Sequence, residues 1–343
     1  MSGADLAPRE LRILVAVASE GGFSAAALAL GTTQSAMSHG VRGIERKLGV
    51  VLFERDRHGA RPTPAGARAA THARRVLRML DTLATETRGV GAGPGGGDTV
   101  AGPLRIAAFR SAALYLLPPA LERLTARHPG IEPTVGVVRE VGPGTAGEVA
   151  EGRADIGIAT LGTSAPVPPE LIGDVLLGEL YSLVHPAGHP RPRSLPLVDW
   201  RENCSSCTRN WWAGQDWIPC ATVRAEDDGA VLSMVGSGLG MAIMPALSLT
   251  GAPPSVEITD LGPDRPTRSV GYVTTPELAP TLAVRALIRE LRGLAAEGSN
   301  VGGSRAEGSN VGGSRAKGSS AKDESAGQGS VTRSAVSDSR KSD

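Results

Sequence analysis

The sequence predicts a multidomain protein in which an α+β region at the front of the chain precedes an α/β region. The first observation is a pattern of short helices followed by a hairpin, which ends near residue 64. The second is a strand–helix–strand–helix–strand order that begins at residue 103. Both regions end in glycine-rich segments, at 89–102 and from residue 296 onward, and 343 residues leave room for about two or three domains.

The helices at the front of the chain follow from the spacing of apolar residues and from helix-breaking glycines. The first has one apolar stripe and ends at Gly21 and Gly22, and Ser24 is the predicted N-cap of a second, alanine-rich helix. Thr33 then precedes a third helix over 34–48. The polar face of this third helix carries Gln34, Ser35, Ser38, His39 and Arg42. A short helix, a glycine turn and a helix with such a face are typical of a helix-turn-helix that reads DNA.

A basic hairpin and a long helix complete the front region. The segment 50–63 has a predicted turn at Gly59, surrounded by Arg55, Arg57, His58 and Arg61. This pattern is typical of a wing that lies on the phosphate backbone. Pro64 begins a helix over 65–88 with one apolar side, which predicts burial against a partner helix. We therefore assign 1–64 to a winged helix-turn-helix domain and 65–88 to a linker helix.

Charge and composition separate the regions and exclude several classes of protein. The net charge is +5 over residues 1–90, −5 over 91–295 and +1 over 296–343, so the front region is the one suited to a polyanion. No run approaches the roughly 20 apolar residues of a membrane span, and the start of the chain has no secretory pattern. With 3 cysteines there is no disulfide framework. We expect a cytoplasmic protein with no membrane partner.

The middle region predicts a parallel, doubly wound α/β sheet. Its predicted strands lie at 104–108, 131–138 and 156–159, with helices between them, the first capped by Ser111. An extended stretch at 176–185, a helix at 231–237 and a strand at 241–244 follow. The tail over 296–343 contains EGSNVGGSRA twice and little that can be buried, so it is expected to be disordered.

Several segments carry a resemblance to a known family. GGFSAAALAL, TTQSAMSHGVRGIERKLGVVLFER and TPAG, in this order, resemble the N-terminal domain of LysR-type transcriptional regulators. LRIAAFRSAALYLLPPALERLTARHPGIEPTV, ADIGIA, LVHPAGHP and MVGSGLGMAIMP resemble landmarks of the family's effector-binding region, so the likeness spans about 6–292. It implies a linker helix that pairs with another subunit's, a glycine-rich hinge at 89–102, and a domain at 103–295 of two periplasmic-binding-protein-like lobes. Lobe 1 would comprise about 103–160 and 245–292, and lobe 2 about 161–244.

The resemblance also implies site residues. The expected DNA-binding residues are Thr33, Gln34, Ser35, Ser38, His39, Arg42, Arg55, Arg57, His58, Arg61 and Thr63. The expected effector-binding residues are Arg110, Ser111, Ala112, Ser205, Ser206, Cys207 and Trp212. Independently of the family, a helix N-terminus with a cation beside it favours a carboxylate at Ser111. The alternative is that Ser111 only caps its helix, Arg110 is a surface charge and the tryptophans fill the core.

The cysteines leave several interpretations open. Cys204, Cys207 and Cys220 could bind a metal with His185 and His189, or the first two could form a redox couple, or all could be buried or pocket thiols. The loop 236–240 has glycines but lacks the strand and the acidic residue of a dinucleotide site. Because no catalytic set stands out, we expect neither an enzyme nor a bound cofactor or metal.

The sequence therefore predicts a sequence-specific, DNA-binding transcriptional regulator that responds to a small-molecule effector. Its expected partners are double-stranded DNA, the effector and RNA polymerase. The chain is also expected to pair with further copies of itself, in a homodimer or a homotetramer. The resemblance implies that lobe closure changes the angle between DNA-binding domains. The alternatives are a regulator that has lost its effector response, a thiol-based redox sensor, a ligand-binding protein of the periplasmic type, and an enzyme that uses the cleft.

Overall fold

The computed structural model describes residues 5–56, 59–90, 100–162, 166–203 and 207–303. The elements of the N-terminal domain are α1 (Pro8–Glu20), α2 (Phe23–Ala29), α3 (Gln34–Leu48), β1 (Phe53–Asp56) and β2 (Gly59–Pro62). α3 begins as predicted, because the Thr33 hydroxyl accepts a hydrogen bond from the backbone N–H of Ala36 at 3.2 Å. The predicted cap at Ser24 is wrong: the N-cap is Gly22, in an extended conformation, and α2 begins at Phe23, two residues earlier than predicted.

The core of this domain is aliphatic, and the hairpin is fastened to α3. Val17, Met37 and Ile44 are almost fully buried where α1 meets α3. Glu45 of α3 accepts hydrogen bonds from the backbone N–H groups of Leu52 at 2.8 Å and Phe53 at 3.3 Å. Such bonds to a carboxylate are stronger than those between neutral groups, so the hairpin has a fixed position beside α3.

The long helix α4 (Pro64–Val90) follows the hairpin and extends two residues beyond its predicted end. Its N-cap is Thr63, whose hydroxyl accepts the N–H of Gly66 at 3.0 Å and donates to the carbonyl of Val51 at 2.9 Å. A side chain at Gly66 would place its Cβ 1.9 Å from the carbonyl oxygen of Leu52. The TPAG segment thus starts the helix and lets it pass close to the preceding chain.

The effector region contains a mixed sheet. Its strands are β3 (Ala101–Ala108), β4 (Gly130–Val137), β5 (Ile156–Leu161), β6 (Ile172–Pro186), β9 (Ala242–Pro245), β10 (Val256–Asp260) and β11 (Thr267–Thr274); a separate parallel pair is β7 (Leu197–Trp200) with β8 (Ala221–Ala225). The order is β10-β6-β11-β5-β3-β4, and β9 also pairs with β6. Within the described residues this sheet covers both lobes, because β6 continues from β11 to β9 and β10.

The predicted parallel sheet is correct only for β4, β3 and β5. β11 pairs antiparallel with both β5 and β6, and β6 pairs antiparallel with β9 and β10. The reason is that the chain crosses between the lobes on β6 and returns on β11. Two crossings in opposite directions lie side by side, and neighbouring strands of opposite direction form an antiparallel ladder.

The helices of this region cover the sheet. They are a π-helical turn (Ala112–Leu116), α5 (Leu117–Arg127), α6 (Gly144–Ala150), α7 (Cys207–Ala213), α8 (Asp228–Gly236) and α9 (Leu282–Gly303), with short 3₁₀ helices at Pro192–Ser194 and Ala246–Leu249. Lobe 1 is used below for β3, β4 and β5 with α5, α6 and α9, and lobe 2 for β7, β8 and β9 with α7 and α8. The structure differs from the prediction at both boundaries: α9 continues to Gly303, beyond 295, and Gly102 lies in β3. The rest of the predicted tail, 304–343, and the hinge residues 91–99 lie outside the described residues.

Candidate nucleic-acid interface and ligand cleft

The polar face of α3 is exposed along most of its length. The exposed residues among those predicted to contact DNA are Thr33, Gln34, Ser35, His39 and Arg42. Ser38 differs, because it is 7% exposed and lies on the side of α3 that faces the domain core. The exposed amide, hydroxyl, imidazole and guanidinium groups can bond to base edges and phosphates. The structure thus leaves a continuous hydrogen-bonding surface on the second helix of the helix-turn-helix.

The two glycines within α3 have different surroundings. A Cβ on Gly40 would lie 2.8 Å from Cδ1 of Ile13, so Gly40 permits the close approach of α1 and α3. A Cβ on Gly43 would have no heavy atom within 4 Å. Packing therefore explains the first glycine, and nothing in the structure explains the second.

The predicted DNA-binding residues of the hairpin differ in their surroundings. Arg61 is exposed on β2, opposite Glu54 in the antiparallel register. Thr63 is the helix cap described above, with its hydroxyl engaged by backbone groups. The side chain of Arg55 and all of Arg57 and His58 lie outside the described residues.

The cleft between the lobes is crossed by an ion pair. Arg110, just after β3 in lobe 1, lies 2.7 Å from Asp228 Oδ1 at the start of α8 in lobe 2. The other oxygen of Asp228 accepts a hydrogen bond from the Ser248 hydroxyl at 2.7 Å. A Cβ on Gly229 would lie 2.3 Å from the Arg110 guanidinium, so the glycine leaves the space that the arginine fills. Asp228 and Gly229 of lobe 2 thus provide the charge and the space that the Arg110 side chain needs.

A second ionic contact between the lobes lies beside the first. Arg139, after β4, lies 3.2 Å from a carboxylate oxygen of Glu202 and 3.1 Å from one of Glu226. Burial raises the pKa of Glu202 above its ordinary value, although the hydrogen bond and charge of Arg139 oppose this rise. The Glu226 side chain, in contrast, is 82% exposed. These two ionic contacts join the lobes across the cleft.

A third pair lies at the base of the cleft. Arg268 on β11 forms a short ionic contact with Glu179 on β6, and its guanidinium lies 4.8 Å from the centre of the Phe109 ring. These groups leave a cavity of only about 10 Å³, roughly the space of one water molecule. The residues that surround it are Phe109, Arg110, Ser111, Glu140, Trp200, Glu202, Asp228, Ser248 and Arg268. A ligand larger than water must separate at least one of the ion pairs.

Two protein-family models match the sequence over most of the described chain. A LysR substrate binding domain matches residues 97–296, and a bacterial regulatory helix-turn-helix protein of the lysR family matches residues 8–67. The chain belongs to the LysR family of DNA-binding transcriptional regulators. Its two matched regions are the helix-turn-helix that carries α3 and the effector-binding domain that contains the cleft.

Similar proteins agree with this assignment. The chain is 35% identical over 295 residues to a probable HTH-type transcriptional regulator, LrrA, of Synechococcus elongatus, covering 84% of this chain and 97% of that protein. It is 34% identical over 181 residues to a probable hydrogen peroxide-inducible genes activator of Mycobacterium xenopi, covering 52% and 89%. Both relatives are named as regulators of gene expression.

Solved structures show the same fold. Full-length OxyR from Pseudomonas aeruginosa matches with a TM-score of 0.63 at 23% identity, covering 84% of this chain and 95% of that one. Full-length CbnR in complex with its target DNA matches with a TM-score of 0.58 at 20% identity, covering 84% and 99%. Among the residues described for this LysR-family chain, no helix is long and apolar enough to cross a membrane.

The LysR-family cleft includes only part of the predicted effector set. Arg110 and Ser111 line it, and Ser111 is 2% exposed, with helical backbone and no capping hydrogen bond from its hydroxyl. The prediction that Ser111 caps the helix through its side chain is therefore wrong. Ala112 is buried in the core of lobe 1. Trp212 packs against the cluster around Tyr181, away from the cleft lining.

The remaining predicted residues cannot be placed, and the structure adds others. Ser205, Ser206 and the Cys207 side chain lie outside the described residues, as does Cys204. Sequence reasoning missed these cleft residues: Phe109, Glu140, Trp200, Glu202, Asp228, Ser248 and Arg268. The sequence did contain one signal for the acidic charges near Arg110, the pair Asp227 and Asp228 at the start of an apolar helix. It could not show that these two residues meet Arg110, which is far away in the sequence.

The metal interpretation of the cysteines gains no support in the part of the chain that the structure describes. Cys220 is exposed. No group of three or more His, Cys, Asp and Glu residues is arranged for a metal ion among the described positions. His185 is buried and bonded through its two ring nitrogens to the Pro186 carbonyl at 3.0 Å and the Thr259 hydroxyl at 2.8 Å. Its imidazole serves to join β6 and β10.

The linker helix of this LysR-family chain is bonded to lobe 1. Arg78 Nε lies 2.8 Å from Oδ1 of Asp155, and Nη2 donates to the Pro103 carbonyl at 2.7 Å. Asp155 is fully buried and also accepts the Arg105 backbone N–H at 2.9 Å and its guanidinium at 2.7 Å. We call Arg78, Asp155 and Arg105 the linker clamp. At the far end of α4, Glu86 accepts the N–H of Leu282 at 2.9 Å, where α9 begins.

Proposed function

We propose that the protein binds double-stranded DNA in the cytoplasm as a homodimer or homotetramer and alters transcription when a small molecule occupies the interlobe cleft. It acts as a regulator and not as an enzyme. The observation that carries the proposal is the exposed polar face of α3 beside a basic hairpin, on a chain that also holds a charged cleft. Gln34, Ser35, His39 and Arg42 would read the major groove, and Arg61 would contact phosphate, with Arg55, Arg57 and His58 of the hairpin.

The test is to sequence the genomic fragments that the purified protein retains at physiological salt. We expect discrete sites with two-fold symmetry, since a dimer presents two copies of α3. Arg42→Ala should weaken binding and relax the sequence preference, with a loss of about 1–3 kcal/mol if the guanidinium contacts a base. Arg289→Ala is the matched control, because it removes the same charge from an exposed position on α9. If Arg42→Ala retains the same sites with the same affinity, α3 is not the reading helix.

The surface of α4 supports self-association. An apolar groove of about 930 Å³ lies between α4 and the N-terminal helices, lined by Leu6, Leu11, Val50, Val51, Ala69 and Val76 among others. Further along α4, Met79, Leu80 and Leu83 are exposed, the last by 63%. A helix of 27 residues is about 40 Å long, which is sufficient for a paired interface. We assign this surface to a second copy of the chain, because an apolar stripe that continues along one long helix is suited to an identical helix.

Sedimentation or light scattering of two variants tests the dimer. Leu83→Glu should shift the protein toward the monomer, because it introduces a charge into the apolar stripe of α4. Leu28→Glu is the control, since Leu28 is 85% exposed on α2 and does not line the groove. An unchanged mass for Leu83→Glu would place the subunit contact elsewhere.

A regulator without effector response is the second candidate. The cavity of about 10 Å³ and the ion pairs across the cleft favour it, since they leave the site filled by the protein itself. The two candidates differ in the retained DNA: a responsive regulator changes its pattern of sites or its contact with RNA polymerase when a small molecule binds. If no cleft ligand alters either the pattern of sites or the contact with RNA polymerase, the second candidate is favoured.

A further inference from the structure

We infer that the effector is a small zwitterion, an α-amino acid or a molecule with the same adjacent carboxylate and ammonium groups. This inference rests on the proposed function and names the ligand class of its cleft. It follows from how Arg110 and Asp228 are held. They face each other across the lobes at 2.7 Å, with space for about one water molecule beside them. Any ligand that enters must therefore separate them and supply new partners.

A simple anion supplies only one of these partners. Its carboxylate would take the Arg110 guanidinium and the Ser111 hydroxyl, both in the cleft lining. Asp228, which is 6% exposed in this structure, would then keep the Ser248 hydroxyl as its hydrogen-bond partner in the cleft and lose its cation. Leaving a buried carboxylate without its cation is strongly unfavourable. The cost of the unpaired Asp228 carboxylate therefore offsets much of the binding energy that the anion gains from Arg110 and Ser111.

The charges around the cleft add to this discrimination. The interlobe contacts comprise Arg110 and Arg139 against Asp227, Asp228, Glu202 and Glu226, a net charge of −2 when all are ionised. Arg268 is paired with Glu179, and Glu140 accepts hydrogen bonds from Thr145 and Thr160. Because the set is already negative, an added anion is repelled and an added ammonium group is attracted.

A simple cation also leaves one group without a partner. It would satisfy Asp228 and displace Arg110, whose side chain is only 35% exposed. A zwitterion avoids both losses, because its carboxylate binds Arg110 and Ser111 while its ammonium binds Asp228 and Ser248. The direct ion pair is replaced by two charge-assisted contacts, and the net charge of the site is unchanged. The ligand then joins the lobes at a wider spacing than the direct ion pair of this structure allows.

The test uses calorimetric titration of the full-length protein at physiological salt with a panel of the common amino acids. Each binder is compared with its des-amino carboxylic acid and its decarboxylated amine. We expect at least one amino acid to bind saturably. Its des-amino acid and its amine should each bind with an affinity lower by about 30-fold or more, because each leaves one buried charge of the cleft unpaired. The proposal is overturned if no amino acid binds, or if the des-amino acid binds as well as the amino acid.

Two variants separate charge recognition from general damage. Asp228→Asn should reduce the preference for the amino acid over its des-amino acid by about 30-fold, because the des-amino acid then no longer leaves a buried carboxylate unpaired. Asp174→Asn is the control, because Asp174 forms an exposed pair with Arg292 outside the cleft. A preference that survives Asp228→Asn, with Asp174→Asn unchanged, also contradicts the proposal.

The outcomes distinguish this inference from the proposed function. If carboxylic acids bind and change the retained DNA sites while amino acids do not, the regulator stands and the ligand class is wrong. If amino acids bind as expected but the protein retains no discrete DNA sites, the ligand class stands and the regulatory function fails.

Discussion

Replacement of Arg78 in the linker clamp should destabilise the effector domain by about 3 kcal/mol. Arg78 is 8% exposed and makes two bonds, to the carboxylate of Asp155 and to the carbonyl of Pro103. Breaking a buried ion pair usually costs about 3–5 kcal/mol. The lower end applies to Arg78→Ala, because Asp155 keeps both of its bonds to Arg105.

The other members of the clamp give a rank order that sharpens this prediction. Asp155→Ala should cost at least about 4 kcal/mol, since it leaves the Arg78 guanidinium buried with only a carbonyl partner. Arg105→Ala should cost about 1 kcal/mol or less, because its side chain is 36% exposed and its backbone N–H still bonds to Asp155. The predicted order of destabilisation is therefore Asp155, then Arg78, then Arg105.

Urea unfolding monitored by tryptophan fluorescence measures the free energy of unfolding of each variant. The tryptophans at 200, 211, 212 and 217 all report on the effector domain. Hydrogen exchange of the α4 amides is the second measurement, and Arg78→Ala should speed exchange near the clamp. The reasoning is refuted if Arg105→Ala is as damaging as Arg78→Ala. A cost below about 1 kcal/mol for Asp155→Ala would also refute it, because a fully buried carboxylate with three donors would then contribute no more than an exposed one.

The glycines of α3 and the acids of the cleft give further predictions. Gly43→Ala should stabilise the N-terminal domain by about 1 kcal/mol, measured by circular dichroism during unfolding, whereas Gly40→Ala should gain less because Ile13 must move. A raised folded pKa means that the Glu202 carboxyl contributes stability at low pH that is lost as the pH rises above 4.5. The melting temperature of Glu202→Gln relative to the native protein should therefore rise from about pH 4 to about pH 7. A flat profile for Glu202→Gln would contradict the burial argument.

The N-terminal domain was predictable from sequence because its signals are local. Thr33 caps α3 through a bond to a residue three positions later, and Thr63 does the same for α4. Hydrophobic spacing also placed the core face of α3 correctly, with Met37 and Ile44 buried. Ser38 was misplaced, because residue type suggested a polar face while its position on the helix turns it toward the core.

The cleft was only partly predictable, because its partners are distant in sequence. Arg110 and Asp228 are 118 positions apart, so no local pattern reveals that they meet. The same holds for β11, which returns from the second lobe and makes the sheet mixed. Trp212 was assigned to the cleft from the family resemblance and the local cluster of tryptophans, and the structure packs it against Tyr181 in an aromatic and aliphatic cluster.

One strand connects the linker clamp with the ligand cleft. β3 bonds to Asp155 at Arg105, and Arg110 follows the strand's last residue by two positions. Four residues separate the two arginines, the last three of β3 and Phe109. β3 is paired on both sides, with β4 and with β5, so it moves as part of the sheet rather than alone. A ligand that takes Arg110 from Asp228 therefore acts on a rigid element whose other end holds α4. Through α4 this element reaches the helix-turn-helix domain, so we expect a change in the spacing of the lobes to be transmitted to it.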